Sequence, residues 1–132
     1  MTTRRDRIAE YFKRQYDTKT GSTVDNVESL FSDELVFHLT GDKTMGRPEL
    51  ITLCDLLRRT RHDRTTTVEE FEEDGDDVSF VLYIVGKDPV TGHEVSVGTR
   101  TKYRFRDDKV VEVRQENPSQ VEQAVRAAGV RL

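Results

Sequence analysis

The stretch Thr99-Arg100-Thr101-Lys102-Tyr103-Arg104-Phe105-Arg106, then Asp107-Asp108, then Lys109-Val110-Val111-Glu112-Val113-Arg114-Gln115-Glu116, decides the fold class. Side chains two apart on a strand share a face, so Thr99, Thr101, Tyr103 and Phe105 lie together, opposite Arg100, Lys102, Arg104 and Arg106. On the second strand Val111, Val113 and Gln115 share a face, opposite Glu112, Arg114 and Glu116. The tight Asp107-Asp108 turn folds this strand back antiparallel. One face of the pair is therefore apolar with a few hydroxyls, and the other is a lattice of charges that can pair across strands. The apolar face needs a cover, and the rest of the chain has to supply it.

Working outward, the segment upstream supplies helices. Residues 4–16 carry Ile8, Tyr11, Phe12 and Tyr16 at near-helical spacing. An α-helix does not hold Tyr11 and Tyr16, five apart, fully on one face, so at most one of them is expected to look into the pocket. Thr23 is placed to cap a second helix bearing Val24, Val27, Leu30 and Phe31, followed by a short strand Leu35–Leu39 and a turn-rich loop Gly41–Gly46. Pro48 suits the first turn of a third helix, whose Leu50, Ile51, Leu53, Cys54, Leu56 and Leu57 form an unusually wide apolar arc. Such a helix packs on two sides or lines a cavity.

After Arg64 the pattern changes to strands. Thr65–Glu73 leads through Asp74-Gly75-Asp76 into Val78–Val85, apolar on both faces as a central strand should be, and a long turn Lys87–Gly92 returns the chain into Glu94–Arg106. Asn117-Pro118 opens a last helix with Val121, Ala124, Val125 and Ala128 on one face. Helices followed by an antiparallel meander make an α+β fold, read as a single domain over residues 1–132.

The composition excludes several functions. A chain of 132 residues holds one domain and a real core without staples. The net charge of −4 argues against a nucleic-acid-binding protein. Arg58, Arg59, Arg61 and Arg64 read as a solvated helix end, and the acidic run from Glu69 to Asp77 as a solvated strand edge and turn. No run of about 18 apolar residues is available to span a membrane, and no apolar stretch follows the charged N-terminus, so a cytoplasmic protein is expected. The lone Cys54 forms neither a disulfide nor a cysteine zinc site, and His38, His62 and His93 lack metal-ligand spacing. Gly41, Gly46 and Gly98 are isolated, which leaves no phosphate loop; no metal and no cofactor are expected.

The order of elements, with Tyr11-Phe12, Leu30-Phe31-Ser32-Asp33-Glu34-Leu35-Val36-Phe37-His38, Gly46-Arg47-Pro48-Glu49-Leu50 and the ending Phe105 to Glu112, resembles NTF2-like proteins. Among these it is similar to SnoaL-like polyketide cyclases and ketosteroid isomerases. The resemblance implies a cone: a curved sheet wrapped around three N-terminal helices, with an apolar pocket at one end. It implies a base at His38, neutral at working pH and able to take a proton. Tyr11 would hold the developing oxyanion, helped by Thr101 or Tyr103. Leu53, Leu57, Phe80, Leu82 and Val113 would line the pocket with Tyr16 and Gln115. The function expected is acid–base cyclisation or isomerisation of an apolar, carbonyl-containing, polyketide- or steroid-like substrate. The alternative is a non-catalytic module using the cavity for a ligand or the sheet for a protein. A homodimer through the outer sheet face, with Val81, Tyr83 and Val85 adding apolar contact, is expected as in related folds.

Overall fold

The computed structural model describes residues 2–60, 64–87 and 91–116. Helix α1 (Arg4–Phe12) starts at Thr3, whose hydroxyl accepts from the Asp6 N–H at 3.0 Å. It runs on into a π-helical turn, Lys13–Asp17, in which the Thr18 N–H donates to the Lys13 carbonyl five residues back. Helix α2 (Thr23–Leu30) is capped by Ser22 rather than Thr23: the Ser22 hydroxyl accepts from Asp25 N–H at 3.0 Å. That frees the Thr23 hydroxyl to work in the interior. Helix α3 (Arg47–Thr60) has Glu49 reaching back to the Gly46 N–H at 3.1 Å, one half of a capping box.

Phe31 is not the end of α2 but the start of strand β1 (Phe31–His38), and the expected loop before α3 contains the two-residue strand β2 (Thr44–Met45). The pairing explains both shifts, since Phe31 stands opposite Val110 and Met45 opposite Phe37. Strands β3 (Thr65–Asp74), β4 (Asp77–Lys87), β5 (Glu94–Arg106) and β6 (Lys109–Gln115) form the antiparallel meander. The sheet order is β2-β1-β6-β5-β4-β3, and β1 runs parallel to β6, so the whole is an open mixed sheet. The region of the expected C-terminal helix lies outside the described residues.

Two hairpin turns match their residues. Gly75 takes φ +62° between Asp74 and its partner Asp77. Asp107 and Asp108 take φ 51° and 66°, left-handed at both positions as the tightest hairpins require. The β5–β6 ladder carries a bulge just past that turn. It makes Val110 the partner of Phe105 and leaves Val111 buried but outside the main core, where simple alternation places Val111 with Val113.

The three helices lie on one face of the sheet. Helix α1 packs on β3 at one edge while α2 and α3 reach β1 near the other. Arg4 fastens α1 to the β3–β4 hairpin through the Gly75 carbonyl (2.8 Å) and Asp76 (2.9 Å), its guanidinium lying over the Phe105 ring. At the exposed edge, β3 carries its acidic run and a bulge at Glu70 (φ 49°), features that discourage pairing with another chain. No helix among the described residues is long and apolar enough to cross a membrane.

Candidate functional site

The space between helices and sheet is filled largely by aromatic rings meeting edge to face. Tyr103 stands 5.0 Å from Phe80 and 5.7 Å from Phe31, centroid to centroid, and Phe31 stands 5.3 Å from Tyr11. Thr101, Tyr103, Phe80, Leu82, Leu53 and Val113 are all buried, while Leu57 packs at the margin and Gln115 is half-buried. The inward parity of β5 is therefore as alternation predicts: Phe80 and Gln115 flank Thr101 on the neighbouring strands.

Within this apolar volume stands one polar cluster. The Tyr11 hydroxyl lies 3.2 Å from the Cys54 thiol, and the buried Tyr16 ring stands edge to face with the Tyr11 ring at 6.5 Å. Both tyrosines thus look inward. The π-helical turn is the reason: its wider winding brings positions five apart onto one face, where an α-helix would separate them. Burial raises the Tyr11, Tyr16 and Tyr103 hydroxyls and the Cys54 thiol above their ordinary titration ranges, so all four groups are neutral. Arg64 stacks over the Tyr16 ring at 4.0 Å and donates to the Thr66 hydroxyl, which in turn donates to Asp17.

Beside that cluster Gln15, fully buried, ties three elements together. Its Nε2 donates to Thr23 Oγ1 (3.0 Å) and to the Cys54 carbonyl (3.2 Å), and its Oε1 accepts from Asn26 Nδ2 (3.1 Å). The Thr23 hydroxyl in turn donates to the Asp55 carboxylate at 3.1 Å. Thr101 is different. It is 2% exposed, and its hydroxyl has no hydrogen-bond partner. A buried hydroxyl left unpaired costs roughly 1–3 kcal/mol, a cost that a water or a ligand oxygen accepting from Thr101 offsets.

His38 is not part of this interior. Leu35, Phe37 and Leu39 are the buried side chains of β1 and its continuation, while Val36 is exposed and His38 half-buried on the opposite face. There its Nε2 stands 3.7 Å from the Glu112 carboxylate and makes no hydrogen bond. The parallel pairing of Phe37 with Val113 locks this parity. Of the four residues expected to act together, Tyr11, Thr101 and Tyr103 share the interior and His38 does not. Among the described residues the fully buried polar side chains include no carboxylate and no imidazole.

The outer face is the charge lattice expected from β5 and β6. Asp77, Lys102, Arg104, Glu112 and Arg114 line a shallow depression, with Arg104 Nε 2.9 Å from Asp77 and Arg114 Nε 3.1 Å from Glu112. The bond from Arg104 holds the Asp77 carboxyl below the usual carboxylate range. Tyr83 lies across β5 at Gly98, where an added Cβ would come within 3.3 Å of its ring. Among the described residues no three His, Cys, Asp or Glu side chains are grouped to hold a metal.

Comparison with known proteins places this geometry. No curated protein matches the chain. Wild-type IdmH from Streptomyces antibioticus, a proposed polyketide cyclase, superposes with a TM-score of 0.69 at 19% identity, covering 95% of this chain and 97% of that one. A proposed SnoaL-like polyketide cyclase from Jannaschia sp. CCS1 gives 0.70 at 18% identity, over 92% of this chain and 90% of the other. AclR from Streptomyces galilaeus, a proposed hydroxylase, gives 0.68 at 17%, over 88% and 91%. At such identities these likenesses speak for the fold: the NTF2-like cone, helices against a curved open sheet. The model of the SnoaL-like domain matches residues 12–113, from the end of α1 into β6, and by that match the chain belongs to the SnoaL-like domain family.

Proposed function

We propose that the protein is a small-molecule enzyme of SnoaL-like type, which takes an apolar, carbonyl-containing, polyketide- or steroid-like substrate into the cone and cyclises or isomerises it. The observation that carries this reading is the Thr101 hydroxyl, buried and unpartnered in an interior that otherwise satisfies its polar atoms. A ligand carbonyl that accepts from Thr101 would relieve that defect. Removing a proton next to a carbonyl drives charge onto its oxygen, and neutral hydroxyl donors such as Thr101, Tyr103 and Tyr11 stabilise that charge without ionising. The described interior supplies this electrophilic half of the chemistry; it buries no carboxylate or imidazole, so the proton leaves to a water molecule or to a basic group of the substrate itself. Leu53, Leu57, Phe80, Leu82 and Val113 would enclose the apolar skeleton, and Tyr16 and Gln115 complete the lining.

The position of His38 favours a second reading: a non-catalytic module that binds the same class of ligand. One variant addresses both. Thr101→Val keeps the shape and removes the unpaired group, so the melting temperature should hold or rise. In the same variant the stabilisation conferred by steroid and fused-ring ketones should fall, together with any turnover of them. Wild-type binding without turnover leaves the module; a wild-type protein whose melting temperature none of these ketones raises ends the ligand reading.

The outer face we assign to a second copy of this chain. Its mixed charges, three cations beside Asp77 and Glu112, complement a copy turned through a twofold axis, and the exposed Val36 and Tyr83 add apolar contact. Exposed ion pairs contribute only ~0–1 kcal/mol each, so the apolar contacts have to carry the affinity. Light scattering at micromolar concentration should give twice the chain mass, and Tyr83→Lys should halve it. A wild-type protein that stays at the mass of one chain rules the dimer out.

A further inference from the structure

The inner face of the sheet is not covered along its whole length. Along β5 its side chains run from Thr101, buried, through Thr99, half-buried, to Val97, which is 39% exposed. Their partners on β4 follow the same course: Phe80 and Leu82 are buried, while Ile84, opposite Val97, is only half-buried. Thr66 beside Ile84 on β3 and Gln115 beside Thr101 on β6 are half-buried as well. This end of the sheet is the mouth of the cone. It shows solvent an apolar pair, Ile84 and Val97, on the face that elsewhere is core.

The chain itself arrives at this place. Strand β6 ends at Gln115, and the Glu116 N–H donates to the Arg100 carbonyl at 3.0 Å, between Thr99 and Thr101. Pro118 has no N–H to give, so it cannot carry the β6 ladder further along β5. Residues 117–132 follow, and in them Val121, Ala124, Val125 and Ala128 recur at helical spacing, a stripe that needs an apolar partner. A helix of about 16 residues is ~24 Å long. The three strand spacings from β6 to β3 amount to only ~14 Å. The reach is ample.

We propose that residues 117–132 dock across the mouth of the cone, with Val121, Ala124, Val125 and Ala128 set down on Ile84 and Val97. The segment is then the outer wall of the ligand site proposed above and guards the approach to Thr101. The docking itself does not depend on the ligand reading, so it is tested on the full chain with no ligand added.

The chain has no tryptophan, so Val97→Trp puts a single indole at the mouth. Its emission should be blue-shifted and shielded from acrylamide. Adding Val121→Asp and Val125→Asp should shift the emission to the red and open the indole to the quencher, with the far-UV circular dichroism of a folded chain retained. Val24→Trp, exposed on α2, should not respond to the same two substitutions. Disulfide trapping gives an answer even where the two aspartates prevent folding. Combined with Val97→Cys, Val121→Cys or Val125→Cys should crosslink within one chain, and Gln123→Cys, on the opposite side of the stripe, should not; Cys54 is buried away from the reaction. An indole at position 97 that is open to quencher and indifferent to the aspartates overturns the docking, as do crosslinks that ignore the stripe. Crosslinks between chains overturn it in favour of a second copy on this face.

Discussion

Phe80→Ala is expected to cost about 3–5 kcal/mol of folding stability, the range for deleting a fully buried aromatic ring. Phe80 is 0% exposed, sits on the central strand β4 opposite Thr101, and meets the Tyr103 ring edge to face at 5.0 Å. Its removal takes away apolar burial and leaves a hole that the flanking ladders of β3 and β5 prevent from closing. Domains of this size are stable by only about 5–15 kcal/mol, so the variant loses a large share of the total. Urea denaturation should show the midpoint falling with an unchanged slope, since the surface exposed on unfolding barely alters. A loss below about 1 kcal/mol would mean that the ring already borders empty space and contributes little packing. The ring also forms part of the wall beside Thr101, so a folded variant should accept a bulkier ketone.

What could be read in the sequence and what could not differ in physical kind. The inward set Thr101, Tyr103 and Phe105 follows from alternation alone, because a strand has only two faces and one of them here is all charge. The hairpin turns follow from Asp-Gly and Asp-Asp, and the wide arc of α3 from its apolar count. Strand β1 needs more. Its alternation sets Leu35, Phe37 and Leu39 against Val36, His38 and Thr40, and the more apolar set is the one buried. That signal, preferred over the family resemblance that implies a base at His38, points His38 outward. The parallel pairing of β1 with β6 is a long-range choice with no local cue.

The π-helical turn is the least legible feature and the most consequential for the site. Nothing in Lys13-Arg14-Gln15-Tyr16-Asp17 distinguishes it from ordinary helix. A π-turn is held by what surrounds it, and here that is tertiary: Gln15 bonded to α2 and α3, and Asp17 bonded to the Thr66 N–H and hydroxyl on β3. The turn in its place brings Tyr16 alongside Tyr11. Cys54, an unremarkable core residue in the sequence, meets the Tyr11 hydroxyl at 3.2 Å beside that ring pair.

Gln15→Leu should therefore destabilise by about 2–4 kcal/mol even though it keeps the volume and adds apolar surface. Three hydrogen bonds disappear at about 1 kcal/mol each, and the buried donors and acceptors left behind add desolvation cost. Asn26 Nδ2 keeps its bond to the Thr20 carbonyl and Thr23 keeps Asp55, which holds the penalty below that of stranding all three partners. Asn26→Leu should cost a comparable amount. Because the two carboxamides bond each other at 3.1 Å, the double variant should lose less than the sum of the two, by about 1 kcal/mol. Thermal melts of the four proteins measure this coupling directly. If Gln15→Leu proves neutral, the network is ornamental and the π-turn is held by Asp17 alone.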